Sequence, residues 1–396
     1  MNEGRSGRYV RQPNNYAAFI PAPLPPDPPL IVDDELQTLL SKADRALGRL
    51  DGSIQTLPDP DLFVVMYVRK EAVLSSQIEG TQSSLNDLLE LEASIADATR
   101  PTDVSEVVNY VHAMNYGLSR LKELPLSVRL IREIHQQLLR DVRGRHLDPG
   151  EIRRTQNWIG AQGCSLNEAT FVPPPPDQVG DHLSDLERFI HSDTNIPYLI
   201  KIGLIHAQFE TIHPFLDGNG RVGRLLITFL LCQSEILIRP VLYLSYYFKR
   251  HRQEYYDLLQ GVRDEGEWES WIKFFLEGVA TVSLEATTTA RAIVELRESH
   301  RQYIIEEFGR AAGNGLKVLE SLYKTPFTTT KMIQDLLGIT FPPANNLIKK
   351  MVAGDLLTEV TGQDRYRVYQ YRPYVSLFSD PRQTGGVGQP DQIMHQ

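Results

Sequence analysis

Apolar side chains recur at three- and four-residue spacing through most of the chain, which is the pattern of amphipathic helices. Leu36, Leu39, Leu40, Ala43 and Leu47 illustrate it. The pattern predicts helical structure over 33–91, including a helix at 61–78 that stops at Gly80, and then over 105–121, 127–139, 178–189, 198–212 and 221–234. Connections that contain proline and glycine separate these segments. The centre of the chain is therefore predicted to be a helical bundle.

Two segments depart from this pattern. Residues 20–29 are rich in proline, whose missing N–H and fixed φ favour an extended arm. The connection at 158–176 is long and irregular, and it contains Thr170-Phe171-Val172 followed by four prolines. We predict a short hairpin there.

The last part of the chain changes character after a long helical stretch at 268–310. Helical segments at 330–337 and 342–352 flank Gly338, and β-rich runs at 356–360 and 366–371 follow. This order predicts a winged helix-turn-helix. The predicted domains are an N-terminal arm with helices (1–104), a core (105–278), a connecting helix (279–315), the winged helix-turn-helix (316–378) and a disordered tail (379–396).

Composition and charge narrow the class of protein. The chain has 396 residues, 41% of them hydrophobic and 23% charged, which is typical of a globular protein with two or three domains. A net charge of −9 argues against non-specific binding of nucleic acid by the whole chain. Cys164 and Cys232 lack the spacing of a zinc or redox pair, and we find neither a signal peptide nor a membrane span. We therefore expect a cytoplasmic location.

The segment from His213 to Arg224 carries the candidate chemistry. Gly218-Asn219-Gly220 tolerates left-handed backbone angles, so successive N–H groups can converge. The next helix is predicted to begin at about Arg221, and its positive N-terminal end adds to this nest of N–H groups. The segment therefore predicts a site for an anion such as phosphate.

Four side chains extend this prediction. Arg221 and Arg224 lie one helical turn apart and suit a clamp on a polyphosphate. Asp217 is the carboxylate that could hold Mg²⁺, and His213 has a pKa suited to accepting a proton from a hydroxyl. A solvated turn explains each residue singly, but the set indicates nucleotide transfer.

The same segment matches every fixed position of His-Pro-Phe-x-Asp-Gly-Asn-Gly-Arg-x-x-Arg. It thereby resembles the signature of the Fic (filamentation induced by cAMP) family. The resemblance covers about 105–278, and the arm and early helices resemble the N-terminal domain that often precedes the core. The implied fold is mainly α, a Fic-type helical bundle with a short β-hairpin flap, here followed by the winged helix-turn-helix.

The resemblance implies a protein adenylyltransferase. His213 would deprotonate a Ser, Thr or Tyr hydroxyl of a target protein, which attacks the α-phosphate of ATP while pyrophosphate leaves. Asp217 would hold Mg²⁺, and Phe215 would pack beneath the loop. The implied ATP-binding residues are Phe215, Leu216, Asp217, Gly218, Asn219, Gly220, Arg221 and Arg224, with the Asn219 side chain among the phosphate contacts.

Two further sets of residues follow from the resemblance. The flap, Ala169-Thr170-Phe171-Val172, would align the target by β-augmentation. Gln208, His251 and Tyr256 are candidates for contact with adenine, and simple packing is an equal alternative for each of them.

Ser75 to Gly80 has the form Ser/Thr-x-x-x-Glu-Gly and resembles the inhibitory helix of Fic proteins. The resemblance implies that Glu79 occupies Arg224 and keeps ATP in an unproductive pose. The alternative is a solvated carboxylate, which the macrodipole disfavours near a helix C-terminus.

The remaining expectations concern partners and rival functions. A homodimer and automodification follow from the resemblance alone. Residues 316–377 hold eight Lys or Arg and five Asp or Glu, which permits DNA contact, but a protein partner or a dimer contact is an equal alternative. The rival functions are an ATP-sensing transcription regulator, or a Fic enzyme that moves another phosphate-linked group or removes AMP.

Overall fold

A computed structural model describes residues 4–13, 15–55, 57, 60–93, 103–140, 148–161, 163–363 and 365–379. They are mainly helical, with two small antiparallel sheets. The predicted disordered tail lies outside the described residues from 380 onwards. Among the described helices, none combines the length and the apolar character that a membrane span requires.

The chain forms two compact units, Met1–Leu88 with Asp97–Thr288, and Leu89–Ala96 with Thr289–Gln396. The predicted boundaries at 104, 278 and 315 do not coincide with this division, which falls within two continuous helices. These helices are α3 (Leu85–Glu92) and α11 (Trp268–Glu307).

The first unit contains the other helices of the bundle. They are α1 (Asp34–Gln55), α2 (Pro60–Ile78), α4 (Val104–Arg120), α5 (Val128–Leu138), α6 (Val179–His191), α7 (Tyr198–Ile212), α8 (Asn219–Gln233), α9 (Ser245–Arg250) and α10 (Arg252–Glu265). The predicted start of α8 at Arg221 is two residues late.

Helices α7 and α8 form the centre of this unit. Every residue of α7 from Leu199 to Ile212 is buried, as expected for a helix that is apolar on most of its surface. Twelve residues of α8 are buried as well. The segment that joins these helices therefore begins and ends in the core.

The N-terminal segment forms a hairpin that the sequence analysis missed. Strand β1 (Gly7–Arg11) pairs antiparallel with β2 (Ala17–Pro21). The arm predicted over 20–29 thus begins inside a strand. Beyond it, the Arg5 guanidinium donates to the carbonyls of Pro28 and Pro29, at 2.7 and 2.9 Å, which fastens the arm.

The second unit contains α12 (Ala312–Lys324), α13 (Thr330–Leu337), α14 (Phe341–Ala353) and α15 (Arg372–Ser376). Its strands β3 (Phe327–Thr329), β4 (Thr358–Glu359) and β5 (Val368–Gln370) form an antiparallel sheet in the order β3-β5-β4. The helices expected at 330–337 and 342–352 are present. The assignment as a winged helix-turn-helix stays a prediction.

Candidate active site

The loop between α7 and α8 depends on left-handed backbone at both of its ends. His213, directly after α7, has φ 49° and ψ 61°, and Gly218, directly before α8, has φ 78°. Glycine adopts this region freely, whereas a histidine there costs on the order of 1 kcal/mol and needs support from its surroundings.

Part of that support comes from within the loop. The Asn219 side chain accepts from the Phe215 N–H and donates to the Phe215 carbonyl, both at 2.8 Å. The Gly218 N–H donates to Asp217 at 2.7 Å. The amide of Asn219 is thus engaged with the loop itself, and its expected contact with phosphate stays a prediction.

The backbone donors of the expected anion site are present at the start of α8. Its first intrahelical bond runs from the Val222 N–H to the Gly218 carbonyl, at 3.0 Å. The N–H groups from Asn219 to Arg221 come before this bond and have no acceptor within the helix. They remain as donors at the positive end of α8.

A second layer of support reaches the loop from residues 153–157. Buried Arg153 donates through Nε to the His213 carbonyl at 2.9 Å, and its N–H donates to the Pro214 carbonyl at 3.0 Å. Asn157 donates to the Phe215 carbonyl at 2.8 Å. These donors satisfy loop carbonyls that have no partner in a helix, so they fix the path of the loop backbone.

His135 on α5 supports the other side of the loop. Its Nδ1 accepts from the Gly150 N–H at 2.8 Å, so the proton lies on Nε2, which donates to the Asp217 carbonyl at 3.0 Å. Its ring stacks on Phe215 with centroids 3.7 Å apart. Burial lowers the pKa of His135 to about 4, so this imidazole stays neutral and keeps both roles.

The His213 imidazole is neutral, with a free lone pair on Nε2. Its Nδ1 lies 3.3 Å from the Glu210 carbonyl, which it can reach only as a donor, and Nε2 is left as the acceptor. Burial lowers the pKa of His213 to about 3, and the guanidinium groups of Arg263 and Arg153 add to the shift. The ring is therefore neutral at physiological pH.

Arg224 on α8 is held by the C-terminal end of α2. Its Nε donates to the Ser75 hydroxyl at 2.8 Å, and its Nη2 donates to the Glu79 carboxylate at 2.7 Å. Burial acts to raise the pKa of Glu79, but the charge and the hydrogen bond of Arg224 together with the charge of Arg221 outweigh it, and the pKa is lowered. Glu79, the predicted partner of Arg224, therefore contacts it in the structure, and Ser75 of the same motif is a second partner.

The same carboxylate covers the start of α8. A Cβ added at Gly220 would overlap the Glu79 Oε1 atom. Glu79 thus lies against the positive end of the helix, where a bound phosphate was expected. Gly80, with φ 99°, follows α2 and turns the chain away.

The second arginine of the expected clamp has different partners. Arg221 is buried, and its Nη1 donates to Glu106 at 3.2 Å. Its Nη2 lies 3.5 Å from the Asp217 carboxylate, which is 38% exposed. Asp217 is therefore the accessible carboxylate of the loop.

Two buried carboxyl groups lie around Arg224. Burial raises the pKa of Glu71 to about 7, although Ser245 donates to it. Burial likewise raises the pKa of Glu210 to about 7. Among the described residues, the Glu210 Oε1 atom has no hydrogen-bond partner.

The flap is present as a short bridge. Phe171 and Ile159 exchange two backbone hydrogen bonds, at 2.8 and 3.0 Å. Phe171 and Val172 are buried, whereas Thr170 is exposed and Ala169 is partly exposed. The Arg263 guanidinium stacks 3.9 Å above the Phe171 ring.

The three candidates for adenine contact lie in different surroundings. Gln208 donates to the Ala22 carbonyl at 2.8 Å, so it holds the N-terminal arm. The His251 ring stacks on Tyr247, with centroids 4.5 Å apart. Burial raises the pKa of Tyr256 to about 12 and the charge of Glu79 adds to it, which places Tyr256 near the Glu79–Arg224 pair.

The sequence analysis missed the residues that hold the loop. His135 occupies an apolar position of α5, beside Ile131, Ile134 and Leu138, and a polar side chain in such a stripe was the available signal. Arg153 lies in an irregular segment and gave no periodic signal.

The loop offers one carboxylate, that of Asp217, to a metal ion. Within the described parts of the chain, no three His, Cys, Asp or Glu side chains form a ligand group. Mg²⁺ bound to phosphates needs only one or two protein carboxylates, and the exposed Asp217 beside the helix N-terminus fits that requirement.

Two family models match consecutive parts of the chain. The Fic/DOC family N-terminal model matches residues 37–119, and the Fic/DOC family model matches residues 125–231. The second match contains the whole loop from His213 to Arg224. This chain contains a Fic/DOC N-terminal domain followed by a Fic/DOC domain. The Fic match thus includes His213, the two arginines and the helix N-terminus described above.

Curated relatives carry the name protein adenylyltransferase Fic. The Drosophila yakuba protein is 28% identical over 256 residues, which are 61% of this chain and 46% of that protein. The Culex quinquefasciatus protein is 30% identical over 210 residues, 50% of this chain and 38% of that protein. The aligned part of this chain spans less than half the length of these relatives.

The fold also has a match among solved structures. A Fic family protein from Desulfovibrio desulfuricans superposes with a TM-score of 0.56 at 18% identity, over 86% of this chain and 97% of that one. This likeness shows that the two chains share a mainly helical Fic fold.

Proposed function

We propose that this Fic domain transfers AMP from ATP to a Ser, Thr or Tyr hydroxyl of another protein, and that Glu79 inhibits the transfer. The contact of Glu79 with both Arg224 and the start of α8 carries the proposal. A carboxylate is held where a polyphosphate would bind, and this arrangement supports an anion site that the chain itself blocks.

The residues have defined roles in the proposed step. The target hydroxyl oxygen forms a bond to the α-phosphorus, the bond from that phosphorus to the β-bridging oxygen breaks, and pyrophosphate leaves. His213 Nε2 accepts the hydroxyl proton. The N–H groups at the start of α8 and the Arg224 guanidinium neutralise the charge that develops on the phosphates. Mg²⁺ held by Asp217 would supply further neutralisation.

Inhibition follows from competition for one guanidinium. Arg224 is 2% exposed and engages Ser75 and Glu79 together, so it has no free face for a γ-phosphate until Glu79 withdraws. Glu79 is 37% exposed, so its withdrawal moves the carboxylate into water rather than through the core.

The test is labelling with ATP carrying ³²P at the α- or the γ-phosphate. Glu79→Gly is expected to incorporate α-label into protein at least tenfold faster than the wild type, with no γ-label. Adding His213→Ala to that variant should reduce the rate by 10²-fold or more. Mass spectrometry should find the added mass of AMP.

Other results would favour the rival functions. Transfer of γ-label indicates a kinase-like reaction, and loss of AMP from a modified target indicates the reverse reaction. Reversible ATP binding without any label on protein supports an ATP sensor. Homodimer formation, automodification, DNA contact by residues 316–378 and a cytoplasmic location stay predictions.

A further inference from the structure

A groove lies between the flap and the N-terminal hairpin β1–β2. Its volume is about 580 Å³, within the roughly 300–1,000 Å³ that is usual for binding sites. One wall is formed by the hairpin around Ala17 and the other by the flap around Thr170, while Asp264 of α10 also lines it.

The hairpin wall presents unpaired backbone groups. The Gln12 N–H donates to the Tyr16 carbonyl at 2.8 Å, so this opposed pair is a hydrogen-bonded one. Hydrogen-bonded and non-hydrogen-bonded pairs alternate along an antiparallel ladder, and the backbone groups of Ala17 and Phe19 therefore point away from β1. The Phe19 N–H agrees with this direction, because it donates to the Val172 carbonyl at 2.8 Å. Outside the β1–β2 ladder, no backbone hydrogen bond joins Ala17 to another described residue.

The flap wall has the same property. Phe171 uses its N–H and its carbonyl on Ile159, so its neighbours Thr170 and Val172 point towards the hairpin. Val172 meets Phe19 there. No backbone partner within the described ranges meets Thr170. The two edges are thus joined at one end of the groove and open beside Ala17 and Thr170.

We propose that the N-terminal hairpin forms a second wall of the site at which the flap is expected to align the protein that is modified, so that an extended segment of that protein pairs with β2 as well as with the flap. This proposal rests on the proposed function. Two facing edges with free N–H and C=O groups match the main chain of a strand, which can pair on both of its sides.

The groove is also connected to the catalytic base. Arg153 donates to the Pro174 carbonyl at 2.5 Å and to the His213 carbonyl at 2.9 Å, so one guanidinium joins the segment that follows the flap to His213. Thr170, with which the bound segment would pair, lies four residues before Pro174 in the chain.

Side-chain selectivity follows from the lining. Asp264 is the charged residue among the described residues that line the groove, and Tyr9 donates to it at 2.8 Å. An acidic groove without a lining cation attracts Lys or Arg. Segments that carry a basic residue beside the modified hydroxyl are expected to bind best.

The experiment uses the full chain with Glu79→Gly. The probe is a pool of fluorescein-labelled heptapeptides with central Ser, Thr or Tyr, in basic-flanked and acidic-flanked subsets, and binding is followed by fluorescence polarisation. Basic-flanked peptides should bind, and Asp264→Asn should reduce their advantage over acidic-flanked peptides about threefold. Failure of both subsets to bind overturns the proposal.

A pair of proline variants tests the new wall. Ala17→Pro removes the N–H that faces the groove and leaves the β1 ladder intact, so peptide Kd should rise about fivefold. Arg11→Pro is the matched control, because Arg11 lies opposite Ala17 and its N–H faces away from the groove. An equal rise in both variants, or in neither, overturns the proposal. Peptide binding without AMP transfer would reject the proposed function alone.

Discussion

The loop from His213 to Arg224 and the end of α2 meet at Arg224, but they are held in different ways. The loop is fastened by buried side chains that bond its backbone, among them Arg153, His135 and Asn219. The end of α2 is held by buried bonds from Arg224 to Ser75 and otherwise by partly buried contacts, and the Glu79 side chain is 37% exposed. The difference supports the proposal that the loop is fixed while the Glu79 carboxylate can withdraw.

The surface contacts of the α2 end are few. Arg252 donates to the Ile78 carbonyl at 3.1 Å, and Lys249 donates to the Gln77 side chain at 2.7 Å. Partly exposed contacts of this kind are worth about 1 kcal/mol each, whereas loss of a buried charged donor costs several times more. Variants in the two regions should therefore affect different properties.

The largest effect is expected for Arg153→Leu. It leaves the carbonyls of His213 and Pro174 without their charged donor, in a buried position. We expect a loss of about 3–5 kcal/mol in the free energy of unfolding, measured by urea denaturation. A loss below about 1 kcal/mol would show that the loop does not depend on this fastening.

His135→Phe tests the other side of the loop. Phenylalanine keeps the stacking on Phe215 but leaves the Gly150 N–H and the Asp217 carbonyl unpaired. We expect the free energy of unfolding to fall by about 2–3 kcal/mol. In the Glu79→Gly background, AMP transfer should be about tenfold lower. His135→Leu is the control that also removes the stacking, and equal activity in the two variants would assign no role to the ring contact.

Glu210 is a weak point within the fastened region, because the Oε1 atom of its buried carboxyl group has no hydrogen-bond partner in the described part of the chain. Its pKa is raised from 4.5 to about 7, so its contribution to stability is full below pH 4.5 and is lost as the pH rises through 7. Glu210→Gln removes this loss. The difference in the free energy of unfolding between the variant and the wild type should therefore shift in favour of the variant by about 2 kcal/mol from pH 5 to pH 8. The same difference between the variant and the wild type at both pH values, measured by urea denaturation, would contradict this shift.

The smallest effect is expected for Arg252→Ala, which removes the donor to Ile78. The free energy of unfolding should fall by about 1 kcal/mol or less, while basal AMP transfer rises about threefold because the end of α2 detaches more often. Arg250→Ala is the control on the preceding helix. A rise of the same size in both variants would mean that charge, rather than the specific contact, holds the helix.

The sequence predicted the elements that repeat a pattern. The helices followed from periodicity. The loop between α7 and α8 and the contact of Glu79 with Arg224 followed from two motifs that resemble those of Fic proteins. The N-terminal hairpin did not, because its strands show no clear alternation and are held by partners distant in sequence, such as Val172. Arg153 and Asn157 were missed for the same reason, since their targets lie about 60 residues away.

The left-handed backbone of His213 has a consequence for how this chain can change over time. Glycine or asparagine would fit that conformation with less strain than histidine. Substituting either one would ease the backbone and remove the base in a single step. In a lineage that no longer uses the proposed reaction, genetic drift should therefore replace His213 early. The resulting variant would be more stable than the wild type.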